Sequence, residues 1–277
     1  MEDTFEIDIL ELSALVKMVR EKYHFDLKEY ALSSLSRRIK RILEMFNLSS
    51  IKLLANKIEN DPVLFEKFLN EITVNTTEMF RDPLVWKHLR ENVFPELAKL
   101  PEIRIWHSAC STGEEVYSMA IALREAGLDK KATLFASDIN NDVIANAKAG
   151  KFPLRTMDHS LANYQKSGGT KKFADYYTAK GIDAYFDLSL IQNVTFKKFD
   201  LILGRQMEQF DLILCRNVLI YFNLPLQDQI IEKFAHCQNE NAFLMTGARE
   251  TIIWCKSADY YDVFSQDFKI FQRNQKQ

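Results

Sequence analysis

Two adjacent carboxylates, Glu114 and Glu115, follow directly on the small-residue run Ala109-Cys-Ser-Thr-Gly113, and a third, Asp138, stands 25 residues beyond Gly113 at the end of an apolar run. Small residues let a backbone approach a ligand closely, and a helix that starts there directs free N–H groups at it. The run occupies the place of a G-x-G-x-G loop, with Ala109 and Ser111 at the first two glycine positions. Dinucleotide folds and S-adenosylmethionine folds share that pattern. The glutamates separate them. Carboxylates at a helix start are favoured by the helix dipole, yet they would repel a pyrophosphate and suit a ligand with an ammonium and a sulfonium. S-adenosylmethionine is therefore the expected ligand, with Asp138 placed to accept hydrogen bonds from both ribose hydroxyls. One of the two glutamates is expected to be only an ordinary first-turn acid.

A second constellation is Asp211-Leu-Ile-Leu-Cys-Arg-Asn-Val-Leu-Ile-Tyr-Phe222. An apolar strand here delivers Arg216, Asn217 and, one turn later, Tyr221 to the same cleft. A third is Thr73 to Arg81, where Asn75, Thr76 and Thr77 either form a turn or cap, or line a cleft between two domains.

The elements that must position these residues fall into two groups. From about Ile7 to Ile72 the apolar spacing is helical, and Leu32, Leu35, Ile39, Ile42, Leu43 and Phe46 form one stripe. Arg37, Arg38 and Arg41, flanked by Lys40, lie away from it. That basic face is open to two readings, a solvated surface or a docking face for an acidic helix. Further helices are expected after Ser49 or Ser50, and after Asp61 with Pro62 at the first position. Beyond Asp82-Pro83, which starts another helix, and Pro101, strands and helices alternate. Strands are expected over 103–107, 132–138, 194–199, 210–215 and 242–246, helices over 114–126, 141–149 and 226–237, and a final hairpin within 260–271. The fold class is α/β: a mostly parallel, doubly wound sheet with its ligand at the carboxyl ends of the strands. Between Gly150 and Asn193 the alternation fails, and an aromatic-rich inserted piece with short strands is expected.

The 277 residues are 47% hydrophobic and 27% charged, as in a globular protein with a large core. No apolar run is long enough to span a membrane and no leader pattern follows Met1, so a cytoplasmic location is expected. Cys110, Cys215, Cys237 and Cys255 are widely spaced, which suggests neither a metal site nor a disulfide framework. A net charge of −2 excludes a global nucleic-acid footprint, so electrostatic recognition must be local.

Three blocks, Asn75-Thr-Thr-Glu-Met-Phe-Arg-Asp82, Ala109-Cys-Ser-Thr-Gly-Glu-Glu-Val-Tyr-Ser118 and Cys215-Arg-Asn-Val-Leu-Ile-Tyr-Phe222, closely resemble the signature blocks of the CheR family of chemotaxis receptor glutamate O-methyltransferases. The resemblance covers nearly the whole chain. It implies a helical N-terminal domain over 1–74, a Rossmann-like methyltransferase domain over 75–277, and a small inserted β-subdomain at about 150–193. It also implies S-adenosylmethionine as methyl donor, S-adenosylhomocysteine as product, and glutamate side chains on the cytoplasmic helices of chemoreceptors as acceptors. Residue by residue, Asn75, Thr77, Arg81, Ala109, Gly113, Glu114, Asp138, Arg216 and Asn217 are implied as cofactor contacts, and Asp200 and Leu201 as neighbours of the adenine. Arg81 and Tyr221 are the residues chosen here for the acceptor carboxylate, Arg37, Arg38 and Arg41 would meet the acidic receptor helix, and no metal and a single protomer are expected.

Two departures stand out. Glu-Val-Tyr replaces the family's usual Glu-Pro-Tyr, and Gly247-Ala-Arg-Glu250 stands where a His-Ser-Glu-like segment is common, with Asn239-Glu-Asn241 taking the preceding turn. They keep two other readings open: a signalling module that binds the cofactor without transfer, and a methyltransferase with a different acceptor.

Overall fold

The computed structural model describes residues 8–28, 30–73, 76–204 and 209–275, which form two compact units. Asn75, expected in the cofactor site, lies outside the described residues. The first unit contains the helices α1 (Ile9–Tyr23), α2 (Leu32–Met45), α3 (Ile51–Asn60) and α4 (Pro62–Ile72), together with the segment Tyr221–Leu226. Three helices start where a side chain replaces the missing amide acceptors. Asp8 accepts from Leu10 at 2.8 Å, Ser50 from Leu53 at 3.2 Å, and Asp61 from Val63 at 2.9 Å. Pro62 takes the first helical position of α4, where no donor is needed.

On α2, Leu35, Ile39, Ile42 and Leu43 are buried, but Leu32 at the helix start is exposed, because it precedes the turn that meets the other helices. Arg37, Lys40 and Arg41 are exposed, while Arg38 is half-buried. Within this unit the backbone N–H of Ala31 donates to the Tyr221 carbonyl at 2.8 Å, Tyr30 packs edge-on against Phe222, and the Arg38 guanidinium lies 4.5 Å from the Tyr221 ring centre. Arg41 pairs instead with Glu71 at 3.5 Å.

The second unit contains a seven-stranded sheet. Its strands are β1 (Ile103–Ser108), β2 (Ala132–Asp138), β6 (Val194–Lys198), β7 (Phe210–Cys215), β8 (Gln238–Thr246), β9 (Tyr261–Ser265) and β10 (Ile270–Arg273), in the order β6-β2-β1-β7-β8-β10-β9. The first five run parallel; β10 is antiparallel to both neighbours. The order reverses at β1, with β2 on one side and β7 on the other, so the carboxyl ends of these strands border the crevice where open α/β sheets bind ligands. β7 is buried along its whole length, Asp211 included, in keeping with the apolar run 212–215. The final hairpin forms as expected. Asn239–Asn241 does not make a separate turn: it lies within β8, where a register shift beside Phe210–Leu212 and a left-handed Asn241 absorb the extra residues.

Helix α5 (Pro83–His88) continues through a π-helical turn over Leu89–Val93 into α6 (Phe94–Leu97). The crossover helices are α7 (Glu114–Glu125), α8 (Asn141–Ala149) and α10 (Leu224–His236). The insertion pairs β3 (Lys151–Pro153), β5 (Asp183–Phe186) and β4 (Tyr177–Lys180) into an antiparallel sheet, and adds helix α9 (Met157–Lys166), which the sequence did not announce. Its polar run Met-Asp-His-Ser-Leu-Ala-Asn-Tyr-Gln-Lys has a weak apolar stripe and becomes helical through Tyr164, which is buried against Phe80 and Phe173. Glu125 ties the insertion down, pairing with Arg90 at 2.8 Å and accepting from the hydroxyls of Tyr164 and Tyr176.

Gly113 joins the first turn to α7 at φ 97°, and a Cβ there would stand 2.7 Å from the Ala147 Cβ. Gly113→Ala should therefore lower stability by about 1–3 kcal/mol, through backbone strain and overpacking together. A matching fall in the thermal unfolding midpoint checks this.

Candidate functional site

At the end of β1 the chain turns through Ala109–Gly113, and the turn is held from inside: Cys110 N–H donates to the Ser137 carbonyl at 2.9 Å, and Gly113 N–H to the Cys110 carbonyl at 3.0 Å. The buried carboxylate of Asp138 completes it, accepting from Ser111 N–H at 2.9 Å and Asn140 N–H at 3.1 Å. Burial raises the Asp138 carboxyl above the usual range, opposed by the hydrogen bonds from Asn140, Ser111 and Ile139. Glu114 is raised in the same direction by burial, with a 2.6 Å hydrogen bond from the Thr112 hydroxyl working against it. Among the described residues neither Glu114 nor Asp138 forms an ion pair.

Glu115 behaves differently. Burial alone would raise it, but the His107 ring at 2.9 Å and the Arg216 charge outweigh that, and its carboxyl lies below the usual range. The expectation of an ordinary first-turn acid does not describe it. Arg216, at the end of β7, is buried; it donates to Glu115 at 3.0 Å, to Asp82 at 2.7 Å and to the Arg81 carbonyl at 3.0 Å. Its guanidinium is thus committed to protein groups, and its part is to fix the Arg81–Asp82 turn against α7. Asp82, at the start of α5, makes no side-chain capping hydrogen bond and gives its carboxylate to Arg216 instead.

The segment Thr76–Asp82 is also held by Phe80 N–H, which donates to the Ser118 hydroxyl at 2.8 Å, and by the Trp86 indole N–H, which donates to the Arg81 carbonyl at 3.0 Å. Thr77 and Arg81 are half-buried, and Arg81 donates to the Thr76 carbonyl at 3.3 Å. Among the described residues eight non-glycine positions have positive φ; Phe80, Asp82, Ser111 and Asn217 fall in the three blocks. Strained backbone of this kind persists only where neighbours over-determine it, and it concentrates at functional sites.

Asn217 owes its left-handed conformation to a residue that the sequence reading left among the departures. The buried Glu250 carboxylate accepts from the backbone N–H groups of Asn217 at 2.8 Å, Ile220 at 3.3 Å and Gly247. Gly247 is required by this close approach, since a Cβ would stand 2.8 Å from the Asn217 amide nitrogen. The one available signal was an acid soon after an apolar strand end, which is common on any surface. Asp200 follows β6 and accepts from Ile202 and Leu203 N–H at 2.7 and 3.0 Å, with Leu201 half-buried beside it. Phe199 N–H donates to the Asp138 carbonyl at 2.9 Å, so this turn adjoins the end of β2.

Ala109, Gly113, Glu114, Asp138, Asp200, Leu201, Arg216 and Asn217 are thus gathered at the carboxyl ends of β1, β2, β6 and β7, with Thr77 and Arg81 on a segment pinned to α7. Tyr221 groups with the helical unit, as do Arg37, Arg38 and Arg41. This parallel sheet, with a carboxylate-rich turn at its switch point, defines a Rossmann-like methyltransferase. The chain belongs to the CheR methyltransferase family: residues 75–270 match its SAM binding domain and residues 10–73 its all-alpha domain. S-adenosylmethionine is accordingly its cofactor. It is 36% identical over 265 residues to the "Putative methyltransferase Cher3" of Pseudomonas putida, covering 96% of this chain and 97% of the relative. It is 28% identical over 247 residues to a chemotaxis protein methyltransferase of Listeria monocytogenes, covering 88% and 90%. Among solved structures, the N-methyltransferase NodS of Bradyrhizobium japonicum is similar over 72% of this chain and 89% of its own, at 13% identity and a TM-score of 0.41.

Arg216→Met should cost about 3–5 kcal/mol in denaturant unfolding, because it leaves Asp82 and Glu115 without their buried cation. Glu115 has a depressed folded pKa, so its contribution is present above the unfolded value and is lost as pH falls through the folded one. Glu115→Gln should therefore flatten the acid limb of the stability profile relative to the parent protein.

Proposed function

We propose that the protein transfers the S-adenosylmethionine methyl group to glutamate side chains on the cytoplasmic helices of chemoreceptors, forming γ-methyl esters that adjust receptor output in chemotaxis. The observation that carries the cofactor half is the charge balance of the first turn. Glu115 and Asp82 share the charge of Arg216, whereas the half-buried Glu114 and the buried Asp138 are left without an ion-pair partner among the described residues. Such a set of acceptors fits a ligand with a ribose diol and cationic groups, and is wrong for phosphates. Asp138 would hold the ribose and Glu114 the ammonium end, with Thr77, Arg81, Ala109, Gly113 and Asn217 completing the wall and Asp200 and Leu201 flanking the adenine. The identification of Asn75 as a further contact rests on the family resemblance.

When bound, the cofactor supplies a methyl already activated by its sulfonium. An acceptor glutamate is ionised near neutral pH, so no general base is needed and none is assigned. The protein's task is to align oxygen, methyl and sulfur and to exclude water, for which positioning alone can supply about 7–11 kcal/mol at best. Arg81 and Tyr221 orient the acceptor carboxylate. Too tight an ion pair would hold the nucleophile back, and the backbone anchoring of Arg81 through its carbonyl limits how far its side chain can follow the acceptor.

The names of the chemotaxis relatives and the exposed cations on α2 support the receptor as acceptor. Arg37 and Arg41 would meet the acidic helix directly, and Arg38 from its place over Tyr221. The location follows the same reading: among the described residues no helix is long and apolar enough to cross a membrane, and receptor tips are reached from the cytoplasm. Action as a monomer is part of the same proposal.

Changing Arg37, Arg38 and Arg41 together to Glu should raise the KM for a receptor fragment by an order of magnitude or more while cofactor affinity stays the same. Equal turnover of the parent and the reversed variant on receptor would remove the acidic-helix reading. Asp138→Ala should weaken cofactor binding in calorimetry by about 1.5–3 kcal/mol. The free-protein pKa values of Glu114 and Asp138 are raised, and the ligand needs their ionised forms. Affinity should thus fall as pH drops from neutral towards about pH 5, and Glu114→Gln should lessen that fall.

A further inference from the structure

The turn Asp200–Gly204 is bonded from both sides. Its amides are gathered by Asp200: the carboxylate takes Ile202 and Leu203, and the Asp200 carbonyl takes Gly204 N–H at 2.7 Å. Its carbonyls are gathered by a single side chain from α10. The Lys233 ammonium donates to Leu201 O at 2.7 Å, Gly204 O at 2.8 Å and Ile202 O at 3.1 Å. An ammonium has three donors, and all three are spent on this one turn. The half-buried lysine has its pKa lowered by burial, with the Asp200 charge opposing. Gly204 makes the fold-back possible, since a Cβ there would stand 2.4 Å from the Asp200 carbonyl oxygen. Meanwhile the turn leaves β6, the edge strand of the sheet, and among the described residues no further strand lies beyond to hold it.

We infer that Lys233 is a positioning residue for the cofactor: by holding the three carbonyls it fixes Asp200 and Leu201 where the adenine is recognised. This rests on the reading of Asp200 and Leu201 as neighbours of the adenine. A lysine so placed touches no reacting atom. It links cofactor recognition at one end of the sheet to α10, the helix that connects β7 to β8. An Asp side chain and carbonyls can accept hydrogen bonds from an exocyclic amine, so the property that depends on their placement is discrimination between an adenosyl ligand and its inosyl counterpart.

The test compares Lys233→Met and Lys233→Arg with the parent protein by calorimetry, using S-adenosylhomocysteine and S-inosylhomocysteine. The parent should prefer the adenosyl ligand. Lys233→Met should lose about tenfold of that preference, and Lys233→Arg, which can still donate to carbonyls, should regain most of it. Hydrogen exchange at Ile202, Leu203 and Gly204 in the folded Lys233→Met protein should be faster, while exchange at Ser111 and Asn217 is unchanged. A merely structural lysine would weaken both ligands alike in step with the unfolding midpoint, leaving their ratio intact, and that result overturns the inference while the adenine reading stands. A parent protein that binds both ligands equally overturns the adenine reading, and the inference with it.

Discussion

Arg216 is the single cation on which the cofactor side of the second unit depends. It reaches Asp82 and the Arg81 carbonyl in one direction and Glu115 in the other, and Glu115 in turn holds His107 on β1. Three segments distant in sequence, the strained Phe80–Asp82 turn, the start of α7 and the end of β7, are thereby fixed to one planar group. A buried arginine paired with carboxylates contributes little net stability over apolar residues of the same shape, but the pair is costly to break. What it provides here is definition: the donors and carboxylates around the first turn have one arrangement instead of several.

That arrangement also sorts the charges. By pairing with both Glu115 and Asp82, Arg216 leaves Glu114 and Asp138 as carboxylates without an ion-pair partner among the described residues. Glu250 repeats the device with backbone donors. Its carboxylate is satisfied by amide groups of Asn217, Gly247 and Ile220, so it adds shape to the turn after β7 more than field to the cleft. A carboxylate in this protein is thus read by what satisfies it, a cation, a set of amides, or a ligand.

Much of this was legible in the sequence, and the exceptions have physical reasons. The parallel strands, the caps at Ser50 and Asp61, and the turn leading to α7 follow from local signals: apolar runs, short polar side chains before helices, and small residues where the backbone must approach something. The family blocks hold Glu114 and Asn217, Asp138 was read from its place at a strand end, and Asp200 from the wider resemblance. Non-local pairing was invisible. Nothing in a linear reading joins Arg216 to Asp82, or Lys233 to Leu201, since those partners are 134 and 32 residues away in sequence. Helix α9 was missed because its stability comes from Tyr164 packing on Phe80, a contact with no local signature.

The central claim is that the first turn is built for a cationic adenosyl ligand held by Glu114 and Asp138 over a framework fixed by Arg216. A crystal structure of the protein soaked with S-adenosylhomocysteine tests it most directly. The account predicts the ribose diol on Asp138, the amino group within hydrogen-bond reach of Glu114, and Arg216 still bound to Asp82 and Glu115. A ligand seated with Arg216 drawn out of its ion pairs, or with both carboxylates turned away from it, would contradict the account.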